Sequence, residues 1–300
     1  MTFATLWNKP EYWFRPSQIV RKIRFALGSK GNASREVRVP WGASLVVRER
    51  DAIGRSLLTL GVYELAVSEI LWRLTDRGEM CLDAGANLGY MTSLLSAKVG
   101  STGRVFCFEP HPQVFDRLKH NVANLTNASA VTVYNEAIGA TDGTAELAES
   151  IDFASNEGTA SVIRSGEETS ARVKHPVTIR RLDTIFSGAE DFGLMKVDVE
   201  GAELDVLRGA ARLLGEHKIR DVVWEDHQPF PSESVQLLFE HGYRIFQFAK
   251  TLRGPRLWDP FVRRDKDGLP WEATNYLATI DPGRAESRLK VPGWRCLRGR

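Results

Sequence analysis

Short, largely apolar runs alternate along the chain with stretches in which apolar residues recur every three or four positions. The runs cover residues 80–82, 104–109, 131–134, 193–199 and 222–226. Each reads as a strand buried on both faces, the habit of a parallel sheet. The periodic stretches read as helices that dock on it. Tyr63, Ala66, Val67, Ile70, Leu71 and Leu74 share one face of a helix predicted over residues 54–74. Met91, Leu94 and Leu95 mark the next helix; Val114, Phe115, Leu118, Val122 and Leu125 a third; Leu204, Leu207, Ala211 and Leu214 a fourth. A helix over 232–240 and strands over 243–248 and 275–280 complete the alternation. The pattern predicts an α/β fold, a Rossmann-like sheet with helices on both faces.

Some stretches break this rhythm. Residues 1–35 are aromatic and basic, with Trp7, Tyr12, Trp13 and Phe14 followed by Arg15, Arg21, Lys22 and Arg24. Within them Ser17 is placed to cap an amphipathic helix bearing Ile19, Val20, Ile23 and Leu27, which Gly28 ends. After a small-residue linker, residues 37–47 read as a hairpin turning at 40–43. Residues 140–181, punctuated by Gly143, Gly158 and Gly166, predict an inserted β-hairpin or flap on the substrate side. Residues 250–272, rich in Pro, Arg and Trp, predict a long loop, and the tail after Asp281 an irregular segment.

Chemistry gathers where strands end. The first strand runs through Asp83 into a turn with Gly85 and Gly89, and a helix follows. Glycine allows the tight turn, and the N–H groups at a helix start face whatever lies over it. A dinucleotide fingerprint would place a glycine where this chain has Asn87 and would wrap a pyrophosphate. The carboxylate of Asp83 disfavours a pyrophosphate and suits a ligand carrying an ammonium or sulfonium charge. The loop therefore reads as a cradle for S-adenosylmethionine, with an NAD(P)-dependent oxidoreductase as the rival.

The second strand ends in Glu109, placed to accept hydrogen bonds from two ribose hydroxyls. At the third tip, Asn135 or Glu136 is a candidate partner for adenine. Asp198 ends the fourth strand, where the reacting methyl would point, and Lys196 shares its side of the strand as a charge partner. His227 follows the fifth strand and is the histidine nearest the ligand edge. Asp198 and His227 are the candidate base and orienter for an acceptor hydroxyl, with Lys196 beside them. Tyr63 and Glu64 are candidates from a helix that lids the ligand. The predicted cofactor walls are Asp83, Gly85, Ala86, Asn87, Gly89, Glu109, Pro110, Asn135, Glu136, Ala137 and Glu64. No trio with metal-ligand spacing stands out, which predicts metal independence.

Composition bounds the picture. The 300 residues are 43% hydrophobic, enough for a sizeable core. There is no apolar leader and no spanning run, so the expected location is cytoplasmic. Cys81 and Cys107 precede Asp83 and Glu109 by two residues and read as small core groups. The net charge of +2 hides basic ends: residues 1–50 carry ten Lys/Arg against three Asp/Glu, and residues 281–300 six against two. Such ends suit an anionic or lipid-linked acceptor, or peripheral membrane contact through the N-terminus, or packing on a partner subunit in a homo-oligomer. No nucleic-acid module is recognisable.

The chain resembles the FkbM family of S-adenosylmethionine-dependent methyltransferases. The likeness rests on LDAGANLGY at 82–90, FEPHP at 108–112, residues 135–139, LDT at 182–184 and above all KVDVEGAE at 196–203. GVYE at 61–64 also matches, and the resemblance covers about residues 54–250. It implies a class I methyltransferase fold, a mixed seven-stranded sheet with its last strand antiparallel. It also implies O-methylation of sugar, glycan or natural-product hydroxyls with release of S-adenosylhomocysteine. A scaffold that binds without turnover is the remaining alternative. The expected division is a basic aromatic extension over 1–53, a methyltransferase domain over 54–281 with the 140–181 insertion, and a basic tail over 282–300.

Overall fold

The computed structural model describes residues 10–14, 16–28, 33–149, 153, 161–163, 173–262 and 274–299. Trp7, Arg15, Gly158, Gly166 and most of the 250–272 loop beyond Val262 lie outside them.

The described residues begin with two helices, α1 (Pro10–Phe14) and α2 (Ser17–Gly28). The predicted hairpin follows as β1 (Ser34–Arg38) and β2 (Ser44–Arg48), paired antiparallel. The single helix expected over 54–74 is two: α3 (Ala52–Thr59), which Asp51 caps through the Gly54 N–H, and α4 (Leu65–Leu74). The chain breaks between them because Gly61 and Glu64 take positive φ of 76° and 42°. Helical spacing resumes in phase on both sides, which masked the break.

The main sheet is built from β3 (Met80–Ala84), β4 (Arg104–Phe108), β5 (Val131–Tyr134), β10 (Phe192–Val197), β11 (Ile219–Asp226), β12 (Arg244–Thr251), β13 (Gly254–Trp258) and β14 (Thr274–Thr279). Its order is β13-β12-β14-β11-β10-β3-β4-β5. The five strands from β11 to β5 are parallel, and β14 enters antiparallel between β11 and β12. This is the class I methyltransferase arrangement, with its last strand antiparallel as expected. It has eight strands rather than seven, because part of the predicted long loop folds back as β13. Pro255 is tolerated there because an edge strand needs no outward ladder N–H.

Alternate strand residues face opposite sides of this sheet and divide the core in two. Cys81, Cys107, Leu194 and Leu277 pack with α4 and with α5 (Tyr90–Val99). Leu82, Met195, Val222 and Trp224 pack on the other face with α8 (Glu203–Gly209), α9 (Ala211–Gly215) and α10 (Glu233–Glu240). Both strand cysteines are fully buried, as read.

Between β5 and β10 lies the insertion. Strands β6 (Ala137–Ile138), β7 (Gly143–Ala148), β8 (Ser161–Ile163) and β9 (Lys174–Arg180) form a second sheet of order β6-β9-β7-β8. The expected hairpin is its β7–β9 pair. Beside β5, α6 (Pro112–Ala123) buries Val114, Leu118 and Val122, and the short α7 (Leu182–Ile185) follows β9.

The tail after Asp281 is not irregular. Asp281 caps α11 (Pro282–Leu289), and Trp294, Cys296 and Leu297 are buried beyond it. Buried Glu69 of α4 accepts hydrogen bonds from the Arg295 and Cys296 N–H groups, 2.8 Å each, and from Arg73 at 2.5 Å. Arg284 and Arg288 are held internally by Asp76, at 2.9 and 2.8 Å, so much of the tail's basic charge serves the fold. On α2, Gln18 is buried while Ile19, Val20 and Ile23 are exposed. Among the described residues no helix is long and apolar enough to cross a membrane.

Candidate active site

A cavity opens over the carboxyl ends of β3, β4, β10 and β11, where parallel sheets place ligands. Its walls include Gly85, Ala86, Asn87, Glu109, Pro110, Glu136, Ala137, Lys196, Asp198 and Glu225. Tyr63 and Glu64 close one side from the start of α4, and Leu147 of the insertion another.

Glycine at position 85 is required by backbone approach rather than by a ligand. Its φ is +78°, and a Cβ there would stand 1.7 Å from the Asp198 carbonyl oxygen. The turn after β3 and the turn after β10 therefore touch, and the Asp198 N–H donates to the Ala84 carbonyl at 3.0 Å. Gly89 begins α5 with φ +92°, and a Cβ there would meet Leu118 at 2.9 Å, so its smallness serves helix packing away from the cavity.

Asp83 is fully buried and is not among the cavity walls. Its carboxylate accepts from the Thr92 hydroxyl at 2.6 Å and lies 3.5 Å from the Lys196 ammonium. Direct contact with a ligand, expected from the sequence, is not what this geometry offers, because the glycine turn passes above the carboxylate. Lys196 carries the connection onward. Its ammonium donates to the Gly85 carbonyl at 2.9 Å and sits 3.2 Å from the Asp198 carboxylate. Burial opposes its charge, but Asp198, Asp83 and Glu64 outweigh that and push its pKa up.

Four carboxylates face this one lysine: Glu64, Asp198, Glu200 and Glu225. Burial, with repulsion from Asp198 and Glu225, pushes Glu64 up to about 8. Burial and the same two neighbours push Glu200 up to about 7. Glu225 is also raised, by burial and by Asp198. Glu64, Asn87 and Glu200 all hold positive φ, at 42°, 49° and 52°. Non-glycine residues adopt that region at a cost of about 1–3 kcal/mol each, and such strain gathers at functional sites.

At the other end Glu109 is held by two backbone donors, the Asn87 N–H at 3.0 Å and the His111 N–H at 2.9 Å. Each oxygen keeps a lone pair for a further donor. Burial pushes this carboxyl up to about 7 against those bonds. Asn135 stands outside the cavity walls and donates to the Glu109 and Pro110 carbonyls at 2.9 and 3.0 Å. Glu136 and Ala137 do line the cavity.

His227 is the largest departure from the sequence reading. It lies beyond the end of β11, exposed, 4.0 Å from Glu225 and outside the cavity walls. Glu225, two residues earlier and still within the strand, takes the wall position that His227 was expected to fill. A pyrophosphate here would meet the Glu64, Asp198, Glu200 and Glu225 carboxylates, which disfavours the dinucleotide alternative.

Comparison with known proteins identifies the group to which this geometry belongs. The profile of the Methyltransferase FkbM domain matches residues 83–245. The chain belongs to the FkbM methyltransferase family. Methyltransferase sdnD of Sordaria araneosa is 30% identical over 193 residues, covering 55% of this chain and 73% of that protein. Hexuronic acid methyltransferase AglP of Haloferax volcanii is 30% identical over 192 residues, covering 63% of this chain and 73% of its own. The crystal structure of Methyltransferase FkbM from Methylobacillus flagellatus aligns with TM-score 0.40 and 18% identity, over 76% of this chain and 56% of that one. The matched FkbM region begins at Asp83 and takes in Glu109, Lys196, Asp198 and Glu225, whereas Tyr63 and Glu64 precede it.

Proposed function

We propose that this FkbM methyltransferase moves the methyl group of S-adenosylmethionine onto a hydroxyl oxygen of a sugar, glycan or natural product. The observation that carries the reading is the polarity of one cavity. Glu109 offers two acceptor oxygens at one end, matched to a ribose diol. Four carboxylates around a single lysine occupy the other, matched to a cationic ligand.

When bound, S-adenosylmethionine supplies an electrophilic methyl on a positively charged sulfur. Asp198 would take the proton of the acceptor hydroxyl, so that this oxygen can receive the methyl group. A hydroxyl is a poor nucleophile near neutral pH, so this proton removal is worth about 10²- to 10⁴-fold in rate. Lys196 is a positioning residue: it holds Asp198 and the Gly85 turn in one arrangement. Glu64 faces the cationic end of the cofactor. The likeness to the hexuronic acid methyltransferase of Haloferax volcanii favours a sugar acid among acceptors.

The test is transfer of a labelled methyl group to a panel of uronic acids, sugar nucleotides and lipid-linked sugars. Asp198→Asn should keep S-adenosylmethionine binding and lose at least about 100-fold in turnover. His227→Ala should leave turnover within about twofold, as befits a side chain outside the cavity. Thermal stabilisation by NADH but not by S-adenosylmethionine, with no labelled product, would overturn the reading.

A further inference from the structure

His111, Glu149 and His175 meet at the seam between the main sheet and the insertion. His111 precedes α6, Glu149 follows β7, and His175 sits in β9. The Nε2 atoms of His111 and His175 lie 3.1 and 2.9 Å from the same Glu149 oxygen, Oε1. The three atoms all lie within 4.8 Å of one another. Zinc bonds to imidazole nitrogen and carboxylate oxygen run about 2.0–2.2 Å, which sets neighbouring donors about 3.3 Å apart around a tetrahedral ion. The two spacings fall within a few tenths of an ångström of that.

The arrangement is also fixed from behind. The His111 ring stacks on Phe153 at 4.4 Å and meets the His175 ring edge-on at 4.6 Å. The His111 N–H is tied to Glu109 at 2.9 Å. Glu149 is pinned by its own N–H, which donates to the Val173 carbonyl at 3.1 Å. His111 is buried, while Glu149 and His175 keep 18% and 19% of their side chains exposed, which leaves an entry path and a direction for solvent to supply a fourth ligand.

We propose that His111, Glu149 and His175 form a binding site for a divalent first-row transition cation of the zinc class. Two imidazoles and one carboxylate suit such an ion and not magnesium or calcium, which take oxygen ligands. The ion's role follows from where it sits. Leu147, two residues before Glu149, lines the active cavity, as do Glu136, Ala137 and Ile138 leading into the insertion. A cation bridging His111 to Glu149 and His175 would clamp the inserted sheet to the main sheet as a fixed wall of that cavity. This is a structural role and does not depend on the methyl-transfer reading.

The experiment uses the full chain, stripped with chelator and titrated with zinc chloride, then with cobalt chloride as a spectroscopic probe. Zinc should bind at one per chain, and cobalt should give the visible absorption of a tetrahedral nitrogen–oxygen site. A hundredfold excess of zinc over its Kd should raise the Tm by about 3–6 °C. His175→Ala and Glu149→Gln should each weaken zinc binding by about 100-fold or more. Glu149→Gln retains hydrogen-bonding atoms beside both rings, so it decides the matter if His175→Ala lowers the metal-free Tm. Absence of stoichiometric zinc binding by the wild type, or binding that Glu149→Gln leaves unchanged, would overturn the proposal.

Discussion

Seating a cation among Glu64, Asp198, Glu200 and Glu225 should expel protons into solution. Without ligand, burial and mutual repulsion hold Glu64 at about 8 and Glu200 at about 7. At pH 7 about nine-tenths of the Glu64 carboxyls and about half of those on Glu200 are then protonated. A sulfonium or ammonium placed beside them favours the ionised forms, as ribose donors do for Glu109, itself at about 7, so binding should release about 1.9 protons at pH 7. The same reasoning gives about 2.5 at pH 6.5 and about 1.2 at pH 7.5. Linkage turns release into affinity: S-adenosylmethionine should bind about 80-fold more tightly at pH 7.5 than at pH 6.5. That window keeps the cofactor's own amino group largely protonated. Calorimetric titration in phosphate and in Tris reads the proton count from the difference in observed enthalpy. Glu64→Gln should leave only the Glu200 and Glu109 shares, about 1.0 proton at pH 7. Proton uptake by the wild type, or equal release by wild type and Glu64→Gln, would refute the electrostatic account of this cavity.

Other consequences are open to direct measurement. In the cofactor-free protein Glu64 and Glu200 keep protons that the unfolded chain loses above its ordinary 4.5, so their contribution to stability falls as pH rises from 4.5 through 8. The free protein's Tm should therefore decline between pH 6 and pH 8.5, and Glu64→Gln should flatten part of that decline. Lys196→Met strands the fully buried Asp83 carboxylate and should cost about 3–5 kcal/mol in urea unfolding. Adding Asp83→Asn should restore part of it, because the two effects share one interaction. Ending the chain after Lys290 removes buried Trp294, Cys296 and Leu297 and two donors to Glu69, and should cost about 4 kcal/mol or more.

The alternation of apolar runs and helical faces made the parallel sheet legible, because strands buried on both sides leave that mark directly in sequence. Acids at strand tips were legible for a related reason: a strand end, its turn and its helix start are local. What required distant chain segments to meet was hidden. His111 and Glu149 are 38 residues apart and His175 follows Glu149 by 26, spacings that match no metal pattern. Glu225 was overlooked because β11 extends through Asp226, past its apolar run, where Glu225 pairs with Asn275 of β14. The tail helix is different, since Asp281 before Pro282 is a helix-start signal plainly present in the sequence.

Asp83 shows how a residue can point to the right chemistry through the wrong contact. In the sequence, an acid ahead of the first glycine points to direct contact with a cationic ligand. The structure instead puts it beneath the turn, where its partner is Lys196. That ammonium has three donors and three neighbours in Asp83, Asp198 and the Gly85 carbonyl. Its one charge is thus shared between a buried acid and the acid at the reacting end, and it cannot neutralise Glu64, Glu200 and Glu225 as well. That shortfall keeps Glu64 largely and Glu200 about half protonated at pH 7, ready to ionise beside a sulfonium and not beside a pyrophosphate. Asp83 contributes to it indirectly, by drawing on the lysine from below.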